Sequence, residues 1–392
     1  MFEKIRIAVI ITCLGICAGL GAHYLLDKET GILVKRPLSI SIPESGIQTD
    51  AFGIQLLQAS MELDPGASCL VSPFLVSEAL LVLRELAETP IQQQIDKLGI
   101  SGGETEHTAY PNMNVTVAAD AELPFSEENR NEGIMRLPFR SNFPIAMSLF
   151  NGALGSIEDE TSGVVVGSNF LSRNTNFVVG LYADFNPKLQ TPFLSCDSTV
   201  SDFENANGSL PKVRMMRLRA NVRYAKDTNG DWEAVALLLS PHSPTAGEPT
   251  AFVAILPTQP AAKMAADLTA EQLGTIRKAL AEATPIDCCI ELPQMQWSPP
   301  TRDLIPILRN IGLDKLFDIN EKNWVFVDRK LGLDAVPEKI GITMTPSRAR
   351  DEQRPKVDNA ATTISFNRPF IWFIGDLTTA SPAYYIGLVQ NL

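Results

Sequence analysis

Apolar residues along this chain follow two kinds of pattern in turn. Short apolar runs of the kind found in buried β-strands occur at 177–181, 234–239, 251–256 and 371–374. Apolar residues at helical spacing occur at 72–86, 269–282 and 301–311. Because strand and helix patterns are interspersed in this way, the sequence predicts a mixed α+β class.

Two helix starts carry specific signals. Ser72 followed by Pro73 is typical of an N-cap with proline at the first helical position. Thr269 and Gln272 have the spacing of a capping box, in which each side chain bonds to the backbone of the other residue. The sequence therefore predicts helices that begin just after Ser72 and just after Thr269.

The N-terminus reads as a separate module. Lys4 and Arg6 precede an apolar run at 7–26, and charged residues return at 27–29. The run is close to the roughly 20 residues that cross the hydrocarbon of a bilayer. It predicts either a cleaved signal peptide or an uncleaved membrane anchor, and the basic residues before it favour export of the C-terminal part of the chain. We expect an exported domain, extracellular or periplasmic, with residues 1–26 as the only membrane segment and 27–46 as a tether.

Composition argues against several function classes. The net charge of −12 and the pI of about 4.9 oppose nucleic acid as a partner, since phosphate binding needs a basic surface. The chain has only 3 histidines, so hydrolytic triads and histidine metal sites are poorly supported. We expect a protein that is not an enzyme and that needs neither a cofactor nor a metal.

The cysteines beyond the N-terminal module are Cys69, Cys196, Cys288 and Cys289. These four cysteines could form disulfides in any of three pairings. Cys288 and Cys289 are adjacent in a strand-like run, so their side chains point to opposite faces and cannot easily bridge to each other. The sequence favours buried free thiols.

The C-terminal residues have a recognisable order. Residues 367–370 read Asn-Arg-Pro-Phe, and 383–391 read Ala-Tyr-Tyr-Ile-Gly-Leu-Val-Gln-Asn. This block resembles the C-terminal signature of the serpins, a family of protease inhibitors. Weaker matches occur in the family's order from about residue 47, among them Ser-Cys-Leu-Val-Ser-Pro at 68–73 and Ile-Glu-Leu-Pro at 290–293.

The resemblance implies one serpin-like domain at 47–392. Its fold would be α+β, with a large central mixed β-sheet, further β-sheets and about eight or nine helices. It also implies a reactive loop at 346–363. In an inhibitory serpin a protease cuts this loop as bait, and the loop then inserts into the large sheet as a new strand.

The hinge of the implied loop consists of Pro346, Ser347, Arg348, Ala349 and Arg350. The family uses small residues there, because alternate side chains must enter a packed interior. Pro346 and Pro355 lack the backbone donor that a central strand needs. In an inserted strand, alternate side chains would face the interior. Arg348 and Arg350 lie on one face of such a strand and Asp351 lies on the other, so a charged side chain is buried in either register. The loop is also shorter than the family's, and we therefore expect poor insertion.

The bait bond has two possible positions. Counting back from Phe370 places it near Asp358-Asn359, whereas counting forward from Thr345 places it near Ala361-Thr362. The candidate bait residues are Arg354, Asp358, Asn359, Ala361 and Thr362.

The resemblance further implies a polar cluster beneath the large sheet, called the shutter. Its equivalents in this chain are Ser68, Ser72, Leu75, Glu338 and Lys339, of which only Ser72 and Lys339 match the family's pattern. Apolar replacement of a buried polar network can leave a fold stable. These replacements therefore argue against opening of the sheet, but they do not argue against the fold.

These observations favour an exported, monomeric, non-inhibitory serpin-like protein that binds a protein partner, either a serine or cysteine peptidase or another protein. The alternative is a suicide-type inhibitor of serine or cysteine endopeptidases with a bait bond between Arg354 and Thr362. A loop that blocks a protease reversibly, without insertion, is a third possibility.

Overall fold

The computed structural model describes residues 39–40, 46–100, 105–106, 113–126, 133–155, 165–240, 250–348, 357, 362–377 and 383–392. In 39–40, 46–49 and 105–106 it describes the backbone alone. The predicted membrane segment 1–26 lies outside these residues. Within them, no helix is both long and apolar enough to cross a membrane.

Seven α-helices occur in the described residues, which is close to the predicted number. They are α1 (Gly46–Leu63), α2 (Pro73–Leu86), α3 (Thr89–Asp96), α4 (Phe143–Leu154), α5 (Ala261–Asp267), α6 (Ala270–Glu282) and α7 (Ile305–Asn310). Short 3-10 helices lie at Ser195–Asp197 and Asp314–Phe317. Both predicted helix starts are confirmed: the Ser72 side chain caps α2, and Thr269 forms a capping box with Gln272 at the start of α6.

The first large sheet has nine strands. They are β2 (Cys69–Val71), β7 (Thr199–Asp202), β8 (Lys212–Lys226), β9 (Trp232–Leu238), β10 (Thr250–Pro257), β11 (Ile286–Pro293), β15 (Thr363–Ser365), β16 (Phe370–Asp376) and β17 (Tyr385–Val389). Their order is β15-β11-β8-β9-β10-β16-β17-β2, with β7 paired to β8. The sheet is antiparallel except for β11 and β15, which are parallel.

The second large sheet has six strands. They are β4 (Met113–Asp120), β5 (Met135–Leu137), β6 (Phe177–Phe185), β12 (Met295–Trp297), β13 (Arg302–Asp303) and β14 (Pro337–Met344). The order is β12-β14-β6-β4-β5, with β13 also paired to β14. The central pair, β14 and β6, is parallel, so this is the mixed sheet that the sequence predicted. A short pair of β1 (Ser39–Ile40) and β3 (Thr105–Glu106) completes the strands in the described residues.

Apolar clusters cover the two faces of the six-stranded sheet. On one face Leu181 and Ile340 join the main core, which includes β10 and β16 of the other large sheet. On the other face Val178 and Tyr182 pack beneath α4, in a cluster with Phe150 and Leu154. A Cβ atom added at Gly180 would lie 2.7 Å from the Phe150 ring, so α4 rests directly on β6. The β6–β14 junction is therefore enclosed on both faces.

A buried ion pair ties the first helix to the nine-stranded sheet. Arg277 on α6 donates to Asp50 on α1 at 2.9 Å, and both side chains are almost fully buried. Arg277 also donates to the Asp376 carbonyl at the end of β16, and its guanidinium lies 4.6 Å from the centre of the Phe373 ring. Burial raises the pKa of Asp50 although Arg277 opposes that shift. Desolvation is the larger effect on this carboxyl.

The closest packing between β16 and β17 gives a stability prediction. A Cβ atom at Gly387 would overlap the ring of Trp372, which is fully buried. We expect Gly387→Ala to lower the free energy of unfolding by about 1–3 kcal/mol, because the indole cannot move aside in a packed core. Urea unfolding measures the change.

Gly274→Ala is the matched control for this substitution. A Cβ atom at Gly274, in the interior of α6, meets nothing within 4 Å. Alanine there should raise the unfolding free energy by roughly 0.5–1 kcal/mol, because glycine is the weaker helix former. Equal effects at the two positions would contradict the packing argument.

Candidate functional site: the β6–β14 junction and the loop anchors

The loop implied by the resemblance follows β14, so a loop strand that turned back along β14 would enter between β14 and its parallel neighbour β6. Its parallel pairing runs from Glu338 opposite Leu181 to Ile342 opposite Phe185. Below this ladder Val179 N donates to the Ala335 carbonyl at 3.3 Å. The Asp334 carboxylate accepts from the backbone of Asn176 at 2.6 Å and of Phe177 at 3.1 Å. The junction is thus closed at its lower end as well as at its centre.

The hinge residues continue this pairing above β14. Ser347 N donates to the Phe193 carbonyl at 2.8 Å, and Ser195 N donates to the Ser347 carbonyl at 2.8 Å. The Ser195 hydroxyl donates to the Pro346 carbonyl at 3.4 Å. Pro346 and Ser347 are therefore extended chain paired alongside residues 193–195. The pairing that the structure describes ends there, and Arg348 is exposed.

The other end of the loop is anchored to the nine-stranded sheet. Cys289 N donates to the Thr362 carbonyl at 2.8 Å, and β15 then continues parallel to β11. Of the bait candidates only Thr362 lies in the described residues, and it forms this anchor. Arg354, Asp358, Asn359 and Ala361 lie outside them, as do the hinge residues Ala349 and Arg350. Between the anchors Val357 is described, and it is 7 % exposed.

The described hydrogen bonds of the implied shutter residues go to different partners. Ser72 donates from its hydroxyl to the Tyr384 carbonyl at 2.7 Å and accepts from Leu75 N at 3.4 Å. Ser68 lies elsewhere, where its hydroxyl donates to the Asn391 carbonyl at 2.9 Å and accepts from Gln390 N at 2.9 Å. Ser68 therefore fixes the C-terminal residues, whereas Ser72 caps α2 and holds it to the residue before β17.

Glu338 belongs to a different network, formed with Arg302. Glu338 is 1 % exposed, and one of its carboxylate oxygens accepts from Arg302 at 2.8 Å and 2.7 Å. Arg302 also donates to the Ser60 hydroxyl at 3.0 Å and to the Leu70 carbonyl at 2.9 Å. The pair thereby links β13 and β14 to α1 and β2. We call these residues, Arg302, Glu338 and Ser60, the Arg302 network.

Lys339 points to the opposite face of β14. Its ammonium donates to the Pro299 carbonyl at 2.6 Å and lies 3.5 Å from the Ser298 carbonyl. Glu338 and Lys339 are adjacent in a strand, so alternation sends their side chains to different sides of the sheet. Lys339 therefore has no part in the Arg302 network.

A family model described as Serpin (serine protease inhibitor) matches residues 156–391. The chain belongs to the serpin family.

Solved structures agree with this family at the level of the fold. A crystal structure of maspin aligns with a TM-score of 0.74 at 15 % identity, over 88 % of this chain and 98 % of that chain. Uncleaved ovalbumin aligns with a TM-score of 0.72 at 13 % identity, over 88 % and 99 %. Serpin-12 of Manduca sexta aligns with a TM-score of 0.70 at 14 % identity, over 88 % and 98 %. No curated protein sequence matches the chain.

This serpin holds a further buried acid, Glu78, that sequence reasoning missed. Glu78 on α2 is 2 % exposed, and its Oε1 has no hydrogen-bond partner among the described residues. The neighbouring Ser77 hydroxyl is likewise buried and unpaired there. Burial raises the pKa of Glu78 from 4.5 to about 8. Its position on the apolar side of the predicted helix could have identified Glu78 from the sequence. Such a position is unusual, since glutamate is seldom fully buried without a partner.

The four described cysteines of this serpin are free thiols. Cys69, Cys288 and Cys289 are buried as the sequence predicted, whereas Cys196 is exposed next to the hinge contact of Ser195. Burial raises the pKa of Cys288 to about 11. In the part of the chain that the structure describes, no group of three or more acidic, cysteine or histidine side chains is placed to hold a metal ion.

Proposed function

We propose that this serpin is an exported binding protein that uses its loop as a contact surface and does not inhibit proteases by loop insertion. The observation that carries the proposal is the continued pairing of Pro346 and Ser347 with residues 193–195, directly followed by the exposed Arg348. Insertion requires the chain to turn back at this point and to enter the β6–β14 junction. Arg348 would then be among the first side chains to enter.

The side chains that line the junction on its two faces are mostly apolar. On the core face the junction is lined by Leu181, Ile340 and Ile342, all at most 2 % exposed. On the α4 face it is lined by Val178 and Tyr182, within an apolar cluster. An arginine or aspartate brought between the strands would lose most of its hydration in these apolar surroundings, at a cost of several kcal/mol.

Glu338 is a buried carboxylate at the junction. Its Oε2 accepts from Arg302, while its Oε1 has no hydrogen-bond partner among the described residues. An arginine that entered here would share a carboxylate whose charge Arg302 already balances. Pro346 has no backbone N–H, so the residue at which the chain would turn back cannot donate a hydrogen bond to a neighbouring strand. Charge and proline in the hinge together favour cleavage without insertion.

Export and partner class belong to the same proposal. The basic residues followed by the apolar run at 7–26 support an exported or membrane-anchored protein. Serpins act on proteases as a family, so a serine or cysteine peptidase is the first class of partner to test. Because the position of the bait bond differs between the two counts, the loop shows no clear protease specificity. We propose that it contacts the partner reversibly and that this chain has no catalytic role.

Protease challenge tests the proposal. We expect trypsin-like enzymes to cut the full chain within 348–361 without forming an SDS-resistant covalent complex. We also expect little change of the melting temperature after the cut, because no strand is added to the sheet. Gel electrophoresis with mass spectrometry and thermal unfolding before and after cleavage measure both quantities.

A hinge-repaired variant serves as the matched control. Pro346→Thr, Arg348→Ala and Arg350→Ala together remove the proline and the first two charges, and cleavage should then raise the melting temperature more than it does in the wild type. A covalent adduct or a large gain in melting temperature with the unmodified chain would instead show a working suicide inhibitor. That result would overturn the proposal.

A further inference from the structure

Three asparagine–glycine steps occur in this chain, and the fold places them in different surroundings. They are Asn151-Gly152, Asn207-Gly208 and Asn229-Gly230. An asparagine before glycine is prone to spontaneous deamidation, because glycine has no Cβ atom to keep its backbone nitrogen away from the asparagine side chain. In a folded protein the rate depends on how firmly the side-chain amide is held. The contacts of the three amides therefore distinguish the three positions.

Asn151 is held at both polar atoms of its amide. It lies within α4 and is partly buried, and its Nδ2 donates to the Met147 and Val166 carbonyls, each at 3.0 Å. Its Oδ1 accepts from Val166 N at 2.7 Å. An amide fixed in this way inside a helix cannot rotate onto the next backbone nitrogen. We expect Asn151 to be stable.

Asn207 and Asn229 lie in two turns with similar backbones, the first between β7 and β8 and the second between β8 and β9. In both turns the glycine has a left-handed φ, of 80° and 81°. In both, the glycine N–H donates to the carbonyl three residues earlier, at 2.9 Å and 3.0 Å. Both asparagines are exposed. These backbone features do not distinguish the two positions.

The two side chains differ in their contacts. Asn207 Oδ1 accepts from Ser209 N at 2.9 Å and from the Ser209 hydroxyl at 2.6 Å. Asn229 donates from its backbone N to the Asp227 carboxylate at 2.8 Å, but its side-chain amide has no hydrogen-bond partner among the described residues. Asn207 must therefore break two hydrogen bonds to reorient. Asn229 can turn its Cγ toward Gly230 N without breaking any.

We propose that Asn229 is a site of spontaneous deamidation and that the fold protects Asn207 and Asn151. Gly230 N attacks the Cγ of Asn229 and forms a five-membered succinimide. The side-chain nitrogen leaves as ammonia with the proton that Gly230 N gives up. Water then opens the ring at either carbonyl and gives aspartate or isoaspartate. The reaction needs only water, so this inference does not depend on the proposed function.

Either product changes the turn between β8 and β9. A carboxylate at position 229 lies between Asp227 and Asp231 in the sequence and is repelled by both. Isoaspartate also lengthens the backbone by one carbon, in a turn where Asp227 N donates to the Trp232 carbonyl at 2.9 Å. The turn is joined to the end of β10, since Thr258 N donates to the Asp231 carbonyl at 2.9 Å. Deamidation should therefore loosen this end of the sheet.

Incubation of the full chain for several weeks, at neutral and at mildly alkaline pH, tests the proposal. Peptide mass spectrometry measures the acid formed at each asparagine. We expect Asn229 to react about tenfold faster than Asn207, because the two hydrogen bonds of Asn207 lower its reactive population. Asn151 should be the slowest, and in urea the three should react at similar rates. Asn229→Gln is the matched control, since the longer side chain does not form the five-membered ring and the main product should disappear.

Ser209→Ala tests whether the side-chain hydrogen bonds are the cause. It removes the hydroxyl donor from Asn207 and should speed the reaction of Asn207 several-fold, while Asn229 is unchanged. Urea unfolding shows whether the variant keeps its stability. Equal rates for Asn207 and Asn229 in the folded wild type, or an Asn229 that reacts only in urea, would overturn the proposal. So would an unchanged Asn207 rate in folded Ser209→Ala.

Discussion

Replacing Glu338 with leucine is expected to lower the free energy of unfolding by about 3 kcal/mol, since it leaves Arg302 beneath the sheet without its counter-charge. Glu338 is almost fully buried, while 31 % of the Arg302 side chain is exposed. We therefore expect a loss of unfolding free energy at the lower end of the range of about 3–5 kcal/mol that follows removal of one partner of a buried ion pair. Urea unfolding at pH 7 of the wild type and the variant measures it.

The Arg302 network predicts how companion variants behave. Replacing both partners, Arg302→Met with Glu338→Leu, should recover most of the loss, because apolar side chains of similar size need no counter-charge. Asp96→Asn is the surface control. It breaks the Arg84–Asp96 pair, whose side chains are 41 % and 47 % exposed, and should cost less than about 1 kcal/mol. A double variant that is less stable than Glu338→Leu would show that the pair stabilises the fold beyond satisfying its own charges.

The same network explains how a serpin can keep its fold without the family's shutter. Leu75 occupies one of the family's polar positions and is fully buried. Glu338 pairs through its Oε2 with Arg302, which comes from β13 and not from the β6 side of the junction. The polar contacts near the junction therefore hold β14 to α1 and β2.

Much of the fold could be predicted from the sequence. The capping residues Ser72 and Thr269 placed two helix starts, and the C-terminal signature placed β16 and β17. Local hydrogen bonds and apolar periodicity determine these features, so they are visible in short stretches of sequence. The parallel junction of β14 with β6 depends on pairing between strands more than 150 residues apart. The family resemblance predicted a mixed sheet but did not identify this pair.

The site was less predictable, because its contacts join distant residues. Glu338 was recognised as a departure from the family, but nothing near it in sequence identified Arg302 or Ser60 as its partners. Ser68 was placed with the shutter by alignment, whereas in the fold it bonds to the C-terminal residues. The charged residues of the loop are visible in the sequence itself. The apolar lining of the junction that makes this charge costly required the packed structure.

Replacing Glu78 with glutamine is expected to make the unfolding free energy less dependent on pH. Burial raises the folded-state pKa of Glu78 from 4.5 to about 8, so the folded chain keeps a proton that the unfolded chain releases. The wild type should therefore lose stability as the pH rises from about 4.5 to 8, by at most roughly 1.4 kcal/mol per pH unit. Over that window the loss from this group amounts to roughly 3–5 kcal/mol. Urea unfolding at several pH values measures it.

The difference between Glu78→Gln and the wild type isolates this group. Asp50 also has a raised pKa, but it is present in both proteins and its contribution cancels. The variant should equal the wild type near pH 4.5 and become the more stable protein as the pH approaches 8. Ser77→Ala is the matched control: it removes the neighbouring unpaired hydroxyl and should change stability by the same amount at every pH. A Glu78→Gln difference that is constant across this window would mean that Glu78 is ionised in the folded protein, with a partner that satisfies its charge.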